Sequence, residues 1–182
     1  MENNTDYYKR NNESRLDNNR NIIDEFTDSR CDCYIYNYRE FDGNNYGEPT
    51  HFPSYEKPLS GKAIHNELGR SLPILLWITV YKKSFLDKNR LSFIEGIIHE
   101  DHEFSVRAHH LADSILLIDK CIYNYRVTRI GSIMNGVRSN KDKSFVSILK
   151  IMESHQRFFK DTEDALFLKG LMGEYSYWII KM

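Results

Sequence analysis

The chain has few cysteines, and their arrangement argues against covalent or metal cross-links. Only Cys31, Cys33 and Cys121 occur among 182 residues. This odd number lacks the paired spacing of a zinc ribbon. Cys31 and Cys33 would share one face of a strand, a geometry that suits neither a disulfide nor, alone, a structural metal. We therefore expect buried or half-buried free thiols in a reducing cytoplasm.

Long apolar runs and an excess of charge of one sign are also missing. No run of about 18 apolar residues is present, so the sequence predicts no transmembrane helix. Residues 1–21 are polar and rich in asparagine, unlike a secretory signal peptide. The net charge of −1 gives no electrostatic basis for nucleic-acid binding or for a polybasic membrane anchor. We expect a cytoplasmic protein with no nucleic-acid partner.

Aromatic residues, by contrast, are abundant. The chain has 12 tyrosines, 10 phenylalanines and 2 tryptophans, and 41% of its residues are hydrophobic. A chain of this length can bury a core as one domain. Tyrosine and tryptophan can also stack on sugars, because each joins an apolar face to a polar edge.

The hydrophobic pattern predicts an α/β chain. Residues 1–18 lack periodicity and are expected to form a disordered or loosely held polar arm. Residues 41–58 form a long loop that contains several glycines and prolines. The predicted strands are residues 31–38, 74–81, 91–95, 114–118 and 121–127, and a second loop covers 128–140. The predicted helices are residues 22–29, 60–69, 82–89, 100–112, 143–159 and 165–180.

The densest group of chemically active side chains is the run HEDHE at 99–103. Acidic residues in the first turn of a helix are favoured by the helix dipole, so a charged helix N-terminus explains the run without any function. A zinc hydrolase is a second interpretation, but the zincin pattern needs two histidines four residues apart. Here His102 is three residues after His99, although His109 and His110 could share its helical face. A third interpretation makes one carboxylate a general base.

Four sequence blocks together resemble the second half of bacterial family-2 glycosyltransferases, which build capsular, lipopolysaccharide and other surface polysaccharides. The resemblance covers residues 18–136. The blocks are SGKA at 60–63, LWITVYKKSFL at 76–86, LSFIEGIIHEDHEF at 91–104 and YNYRVTRIGSIM at 123–134.

The resemblance implies an acceptor site around the acidic pair. Asp101 matches the aspartate of the family's Glu-Asp motif, which acts as catalytic base. Glu100 matches its partner, which helps to set the acceptor site. Trp77 and Tyr81 lie in the stretch where an aromatic residue borders the acceptor pocket.

The resemblance also implies contacts with the donor. Arg126, Arg129 and Ser132 match a loop near the donor diphosphate, where arginine can pair with two phosphate oxygens at once. His99 could approach a donor-bound metal. A divalent ion, Mg²⁺ or Mn²⁺, is expected for the family, but the chain contains no Asp-x-Asp metal motif. Its ligands are therefore expected to be largely absent from this chain.

The fold implied by the resemblance is an incomplete GT-A-like mixed sheet with flanking helices and a C-terminal helical pair. Residues 1–18 would be the arm, 19–138 the C-terminal half of the glycosyltransferase domain, and 139–182 a helical extension. This extension would cover another face or lie near a membrane where acceptors reside.

The function implied is inverting transfer from a nucleotide-sugar donor to a glycan or lipid-linked acceptor. Without the donor-binding half, we expect the chain alone to be inactive. It would work with a separately encoded N-terminal half or by self-association. The alternative is a non-catalytic fragment that binds a glycan or a partner.

Overall fold

The computed structural model describes residues 31–127 and 141–181, which form a mixed α/β fold as predicted. The predicted arm, the helix at 22–29 and both predicted domain boundaries lie outside the described residues, as does the loop at 128–140. The described strands are β1 (Cys33–Phe41), β2 (Tyr46–Pro49), β3 (Thr79–Tyr81) and β4 (Ile115–Arg126). The described α-helices are α1 (Gly61–Leu68), α2 (Lys83–Lys88), α3 (Glu100–Leu111), α4 (Lys141–Phe158) and α5 (Ala165–Lys181).

The four described strands form one open mixed sheet with β1 at its centre. Strand β1 pairs antiparallel with β2 and with β3, and it pairs parallel with β4. The parallel pair begins where Cys33 lies opposite Ile115. Antiparallel and parallel ladders therefore meet on the same central strand.

A bulge in β4 changes which side chains share a face. The register passes from Ile35 opposite Leu117 to Tyr38 opposite Tyr123, so β4 contributes more residues than β1 over this stretch. A bulge interrupts the strict alternation of side chains. Tyr38, which follows the register shift, packs against the same core cluster as Cys33 and Ile35.

The main hydrophobic core lies between this sheet and helix α3. From α3, Phe104 and Ala108 pack into a cluster with Ile35, Ile115 and Leu117 of the sheet. These apolar positions of α3 recur at the spacing of one helical face. The core thus fixes α3, and the acidic run at its start, against one side of the sheet.

Helix α1 approaches α3 very closely at Gly61. A Cβ atom added there would lie 1.5 Å from the His109 carbonyl oxygen. The Gly61 N–H donates to the Ala112 carbonyl at 2.8 Å, which ties the start of α1 to the end of α3.

A second cluster joins α3 to the C-terminal helices. Its buried members are Ile151, Phe159, Phe167, Leu171 and Tyr175, and Val106 of α3 packs against them. Helix α3 therefore contacts the sheet on one side and the α4–α5 pair on another. No helix of the described residues is long and apolar enough to cross a membrane.

The predicted strand at residues 74–81 is only partly correct. Leu76–Ile78 is a 3₁₀ turn, and only Thr79–Tyr81 pairs in the sheet. The Thr79 hydroxyl donates to the Leu75 carbonyl at 2.9 Å. Side-chain bonds of this kind compete with the strand ladder, which explains why an apolar run does not extend as a strand.

Two other strand predictions are also corrected by the structure. Residues 91–95 contain no strand and form a loop, whose Ser92 carbonyl accepts from the Arg107 guanidinium at 2.9 Å. The predicted strands at 114–118 and 121–127 are one strand, β4. The bulge opposite Asn37 interrupts the pattern without ending the strand.

Candidate active site

The acidic run begins helix α3 directly after a left-handed residue. His99 has φ of 67°, and Glu100 and Asp101 occupy the first helical turn. Histidine tolerates positive φ better than bulky or β-branched residues do. The turn at His99 therefore aims the chain into α3 and presents both carboxylates at the positive end of the helix dipole.

Asp101 is held by the backbone and is half-buried. Its Oδ1 accepts from the His102 N–H at 2.8 Å. Burial raises the pKa of Asp101, and the bond from His102 opposes part of this rise. No described residue bonds Oδ2. Glu100, in the same turn, is exposed, unlike the half-buried Asp101. Asp101 is thus a fixed carboxylate whose basicity is increased and which keeps one oxygen available.

Tyr81 faces the same side of α3 as Asp101. Ser105 follows Asp101 by one helical turn, and residues four apart lie on one face. The Tyr81 hydroxyl is 3.4 Å from Ser105 Oγ and 3.4 Å from His109 Nε2. Burial raises the pKa of Tyr81 well above its ordinary value, so this phenol stays protonated.

Trp77 lies in a group of tyrosines on the α3 side of the sheet. Its ring is within 7° of parallel to Tyr125 with centroids 5.0 Å apart. Tyr123 lies 4.7 Å from it, and Tyr38 meets it edge-on at 4.8 Å. Trp77 and Tyr81 both pack against the core cluster that contains Phe104 of α3.

Arg126 lies on the opposite face of the sheet. Its guanidinium is 5.9 Å from the Phe41 ring, and Phe41 stacks on Tyr46 at 4.7 Å. Tyr125, the preceding residue, faces Trp77, as strand alternation requires. The structure therefore does not bring Arg126 together with Trp77. Arg129 and Ser132 lie outside the described residues.

His99 is occupied by a contact with helix α4. Its Nε2 lies 2.9 Å from Ser144 Oγ, and burial lowers its pKa, which favours the neutral ring. The described residues contain no group of three side chains that could hold a metal ion. They therefore do not fit the divalent ion that the resemblance implies.

The three histidines that the zinc-hydrolase interpretation places on one face of α3 contact different neighbours. His102 Nε2 lies 2.6 Å from Glu174 Oε2. His109 faces Tyr81, and the His110 ring packs within 4.7 Å of Phe167. Three rings with separate packing partners do not converge on one ion.

A buried polar network behind Asp101 was not foreseen from the sequence. Arg107 Nε and Nη2 donate to the two carboxylate oxygens of Glu103 at 2.6 and 2.7 Å. Ser154 and His155 of α4 also bond Glu103, through its side chain and its carbonyl respectively. The i, i+4 spacing of Glu103 and Arg107 was the available signal, but such pairs are usually exposed.

Tyr123 and Tyr125 were also not singled out as site residues. Tyrosine at alternate positions of a predicted strand places both rings on one face, and this was the available signal. Their closeness to Trp77 arises from the parallel pairing of β4 with β1, which no local pattern reveals.

One comparison with known proteins bears on the function of this chain. A stretch of 88 residues, 47% of this chain, is 33% identical to putative glycosyltransferase EpsH of Bacillus subtilis (strain 168). The similarity supports a relationship to glycosyltransferases. The matched stretch spans 24% of that relative's length, and no family model matches the chain.

Proposed function

We propose that this chain carries the acceptor side of an inverting, nucleotide-sugar-dependent glycosyltransferase of the family-2, GT-A type. Asp101 is the general base of this proposal. It removes the proton from an acceptor hydroxyl while that oxygen attacks the anomeric carbon of the donor sugar. The acceptor is a glycan or a lipid-linked sugar of surface-polysaccharide synthesis.

The observation that carries the proposal is the state of Asp101. One oxygen is fixed by the His102 amide at 2.8 Å, and burial raises the pKa of the carboxyl group. A carboxylate with a raised pKa is a stronger base. A carboxylate in a fixed position favours proton transfer, because the base and the acceptor hydroxyl need not meet by random collision. A structural helix-capping role would be equally served by an exposed carboxylate, like that of Glu100.

The acceptor would approach over the surface that contains Trp77 and Tyr81. Both residues lie on the α3 side of the sheet, as does the turn that carries Asp101. Arg126 lies on the other face. A role in binding the donor diphosphate would therefore require the donor to reach around the end of β4.

Donor binding is proposed to depend on a partner. The chain has no Asp-x-Asp motif, and the described residues contain no group of three metal-ligating side chains. The purified chain is therefore expected to show little or no transfer alone. A donor-binding unit outside this sequence would supply the nucleotide site and a divalent metal.

The proposal is tested by following labelled sugar from nucleotide-sugar donors into polymer or lipid. Extracts of cells that encode the chain are compared with extracts of the same cells lacking its gene. We expect incorporation only when the chain is present, with the anomeric configuration of the donor sugar inverted in the product. The isolated chain, assayed with Mg²⁺ or Mn²⁺, should give little incorporation.

Two results would contradict parts of this proposal. Equal incorporation with and without the gene would exclude the transferase function. Strong metal-dependent turnover by the purified chain would instead disprove the need for a donor-binding partner.

A further inference from the structure

The aromatic cluster around Trp77 includes rings that the acceptor chemistry above does not use. We define the aromatic platform as Trp77, Tyr123 and Tyr125. Trp77 and Tyr125 stack nearly parallel with ring centroids 5.0 Å apart, and the Trp77 and Tyr123 ring centroids are 4.7 Å apart. Tyr38 supports Trp77 from below through an edge contact. The three rings thus form one preassembled patch.

The platform is not closed off as a core would be. Tyr123 is 40% exposed, whereas Trp77 and Tyr125 are half-buried. Exposed aromatic rings that are already fixed in place lose little conformational freedom when they bind a ligand. A flat apolar ring with a polar hydroxyl edge matches a pyranose, which has an apolar C–H face and polar hydroxyl edges.

A fixed carboxylate lies at the neighbouring bulge. Asp119 Oδ1 accepts from Asn37 Nδ2 at 2.6 Å and lies 3.1 Å from His51 Nδ1. Asn37 is only 1% exposed, and its own side-chain oxygen accepts from the Phe52 amide at 3.0 Å. Asn37 is therefore locked, and it holds one oxygen of an exposed carboxylate in a defined position.

A series of contacts links the carboxylate to the platform. Phe52, which follows His51, has its ring 6.4 Å from that of Tyr38, the ring under Trp77. No described residue bonds Asp119 Oδ2. That oxygen can accept hydrogen bonds from two hydroxyl groups of a sugar, and its charge disfavours an anionic sugar.

We propose that the aromatic platform and Asp119 form a carbohydrate subsite that binds a neutral pyranose of the acceptor chain. This inference rests on the proposed function, because it assigns the acceptor as a glycan. The subsite performs no chemistry. It holds a sugar unit by stacking and by hydrogen bonds, while the reacting hydroxyl lies at Asp101.

Binding is measured on the purified chain with two probes, methyl β-D-glucopyranoside and methyl N-acetyl-β-D-glucosaminide. Saturation-transfer NMR should show magnetisation reaching the C–H protons of at least one probe. Tyr123→Ala should weaken that binding by on the order of tenfold, since it removes one stacking ring. Tyr123→Phe should retain binding, because it keeps the flat face.

Two further variants separate stacking from folding and from general apolarity. Tyr123→Leu keeps an apolar side chain without a flat ring and should bind as poorly as Tyr123→Ala. Tyr46→Ala is the matched control, because Tyr46 is 52% exposed and lies on the opposite face of the sheet with Phe41. It should leave binding unchanged. Urea unfolding of each variant checks that the fold is kept.

The role of Asp119 has its own test. Asp119→Asn should weaken binding of the neutral probes, and methyl β-D-glucuronide should bind less well than methyl β-D-glucopyranoside. Equal binding of the charged and neutral glycosides, unchanged by Asp119→Asn, would overturn the part assigned to the carboxylate.

The whole inference is overturned if neither neutral probe binds, or if Tyr46→Ala reduces binding as much as Tyr123→Ala. Its failure can be told from failure of the proposed function. Gene-dependent transfer whose acceptor KM is unaffected by Tyr123→Ala would remove the subsite alone. Platform-dependent binding without any gene-dependent transfer would remove the transferase function alone and favour a glycan-binding protein.

Discussion

Glu103 and Arg107 form a buried pair just after Asp101, and their burial determines what a substitution there would do. Glu103 is fully buried, and its side chain bonds both Arg107 and Ser154. Glu103→Ala leaves the Arg107 charge without its partner, which should cost about 3–5 kcal/mol in the free energy of unfolding. Urea denaturation measures this loss.

An exposed pair of the same spacing provides the control. Lys83 and Asp87 of α2 are also four residues apart, with Nζ to Oδ2 at 2.8 Å, but both side chains are exposed. Asp87→Ala should cost less than about 1 kcal/mol, because water replaces the lost contact. If the two variants lost equal free energy of unfolding, burial of Glu103 would not explain the contribution of its pair to stability.

Two buried histidines predict a loss of stability in acid. Burial lowers the pKa of His109 and of His155 to about 4. His155 is held neutral, since its Nδ1 pairs with the Tyr175 hydroxyl and its Nε2–H donates to the Glu103 carbonyl. The unfolded chain binds protons at these rings below an ordinary pKa of 6.5, whereas the folded chain does not until about 4.

The contribution of these two neutral rings to the free energy of unfolding should therefore be fully present above pH 6.5. It should decrease as pH falls towards 4. At pH 4.5 the loss should be about 2–3 kcal/mol for each of these histidines. Urea denaturation at pH 7 and pH 4.5 measures it, and His155→Gln should show a smaller difference between the two pH values. Stability that is constant or increases on acidification would contradict the neutral, buried state of these rings.

At the scale of single residues, the sequence predicted some features and not others. It indicated Asp101 and placed it at the start of a helix, because acidic first turns and apolar periodicity are local signals. It did not predict that Glu103, two residues later, is fully buried, because burial of a charge depends on partners from α4. The catalytic role of Asp101 stays a prediction.

At the scale of elements, the contact between α1 and α3 depends on the absence of a side chain at Gly61. Gly61→Ala would place a Cβ atom 1.5 Å from the His109 carbonyl oxygen. The helices must then separate, which should lower the free energy of unfolding by at least about 1–3 kcal/mol. Thermal or urea unfolding measures the change.

Gly173 in α5 provides a matched control, because its substitution by alanine should change stability in the opposite direction. A Cβ atom added there meets no atom within 4 Å. Gly173→Ala should therefore stabilise the protein by about 0.5–1 kcal/mol, since alanine is the better helix former. If both alanine variants changed stability alike, the close approach of α1 and α3 would be wrong.

Elements with local signals were predicted, whereas details set by pairing between strands were not. Helix α1 begins where expected, because the Ser60 hydroxyl accepts from the Ala63 amide at 3.2 Å and caps it. Strand β4 was divided into two because its bulge exists only opposite β1. The 3₁₀ turn Leu76–Ile78 replaced part of a predicted strand because the Leu75 carbonyl bonds a side chain instead of a neighbouring strand.

At the scale of the whole described structure, α3 connects two clusters. Phe104 and Ala108 pack towards the sheet, and Val106 packs towards α4 and α5. The C-terminal helices also bond the acidic turn itself, through Ser144 to His99 and Glu174 to His102. They therefore support the position of Asp101, whichever domain boundary the complete protein has.

The central claim is that Asp101 acts as the base in sugar transfer, and Asp101→Asn tests it most directly. The asparagine oxygen can still accept from the His102 amide, so the fold should be kept while the base is lost. Labelled-sugar incorporation is measured in extracts that contain the variant at the wild-type level. The account predicts a fall of about 100-fold or more, the contribution typical of a general base. Incorporation within a few-fold of the wild type would contradict it.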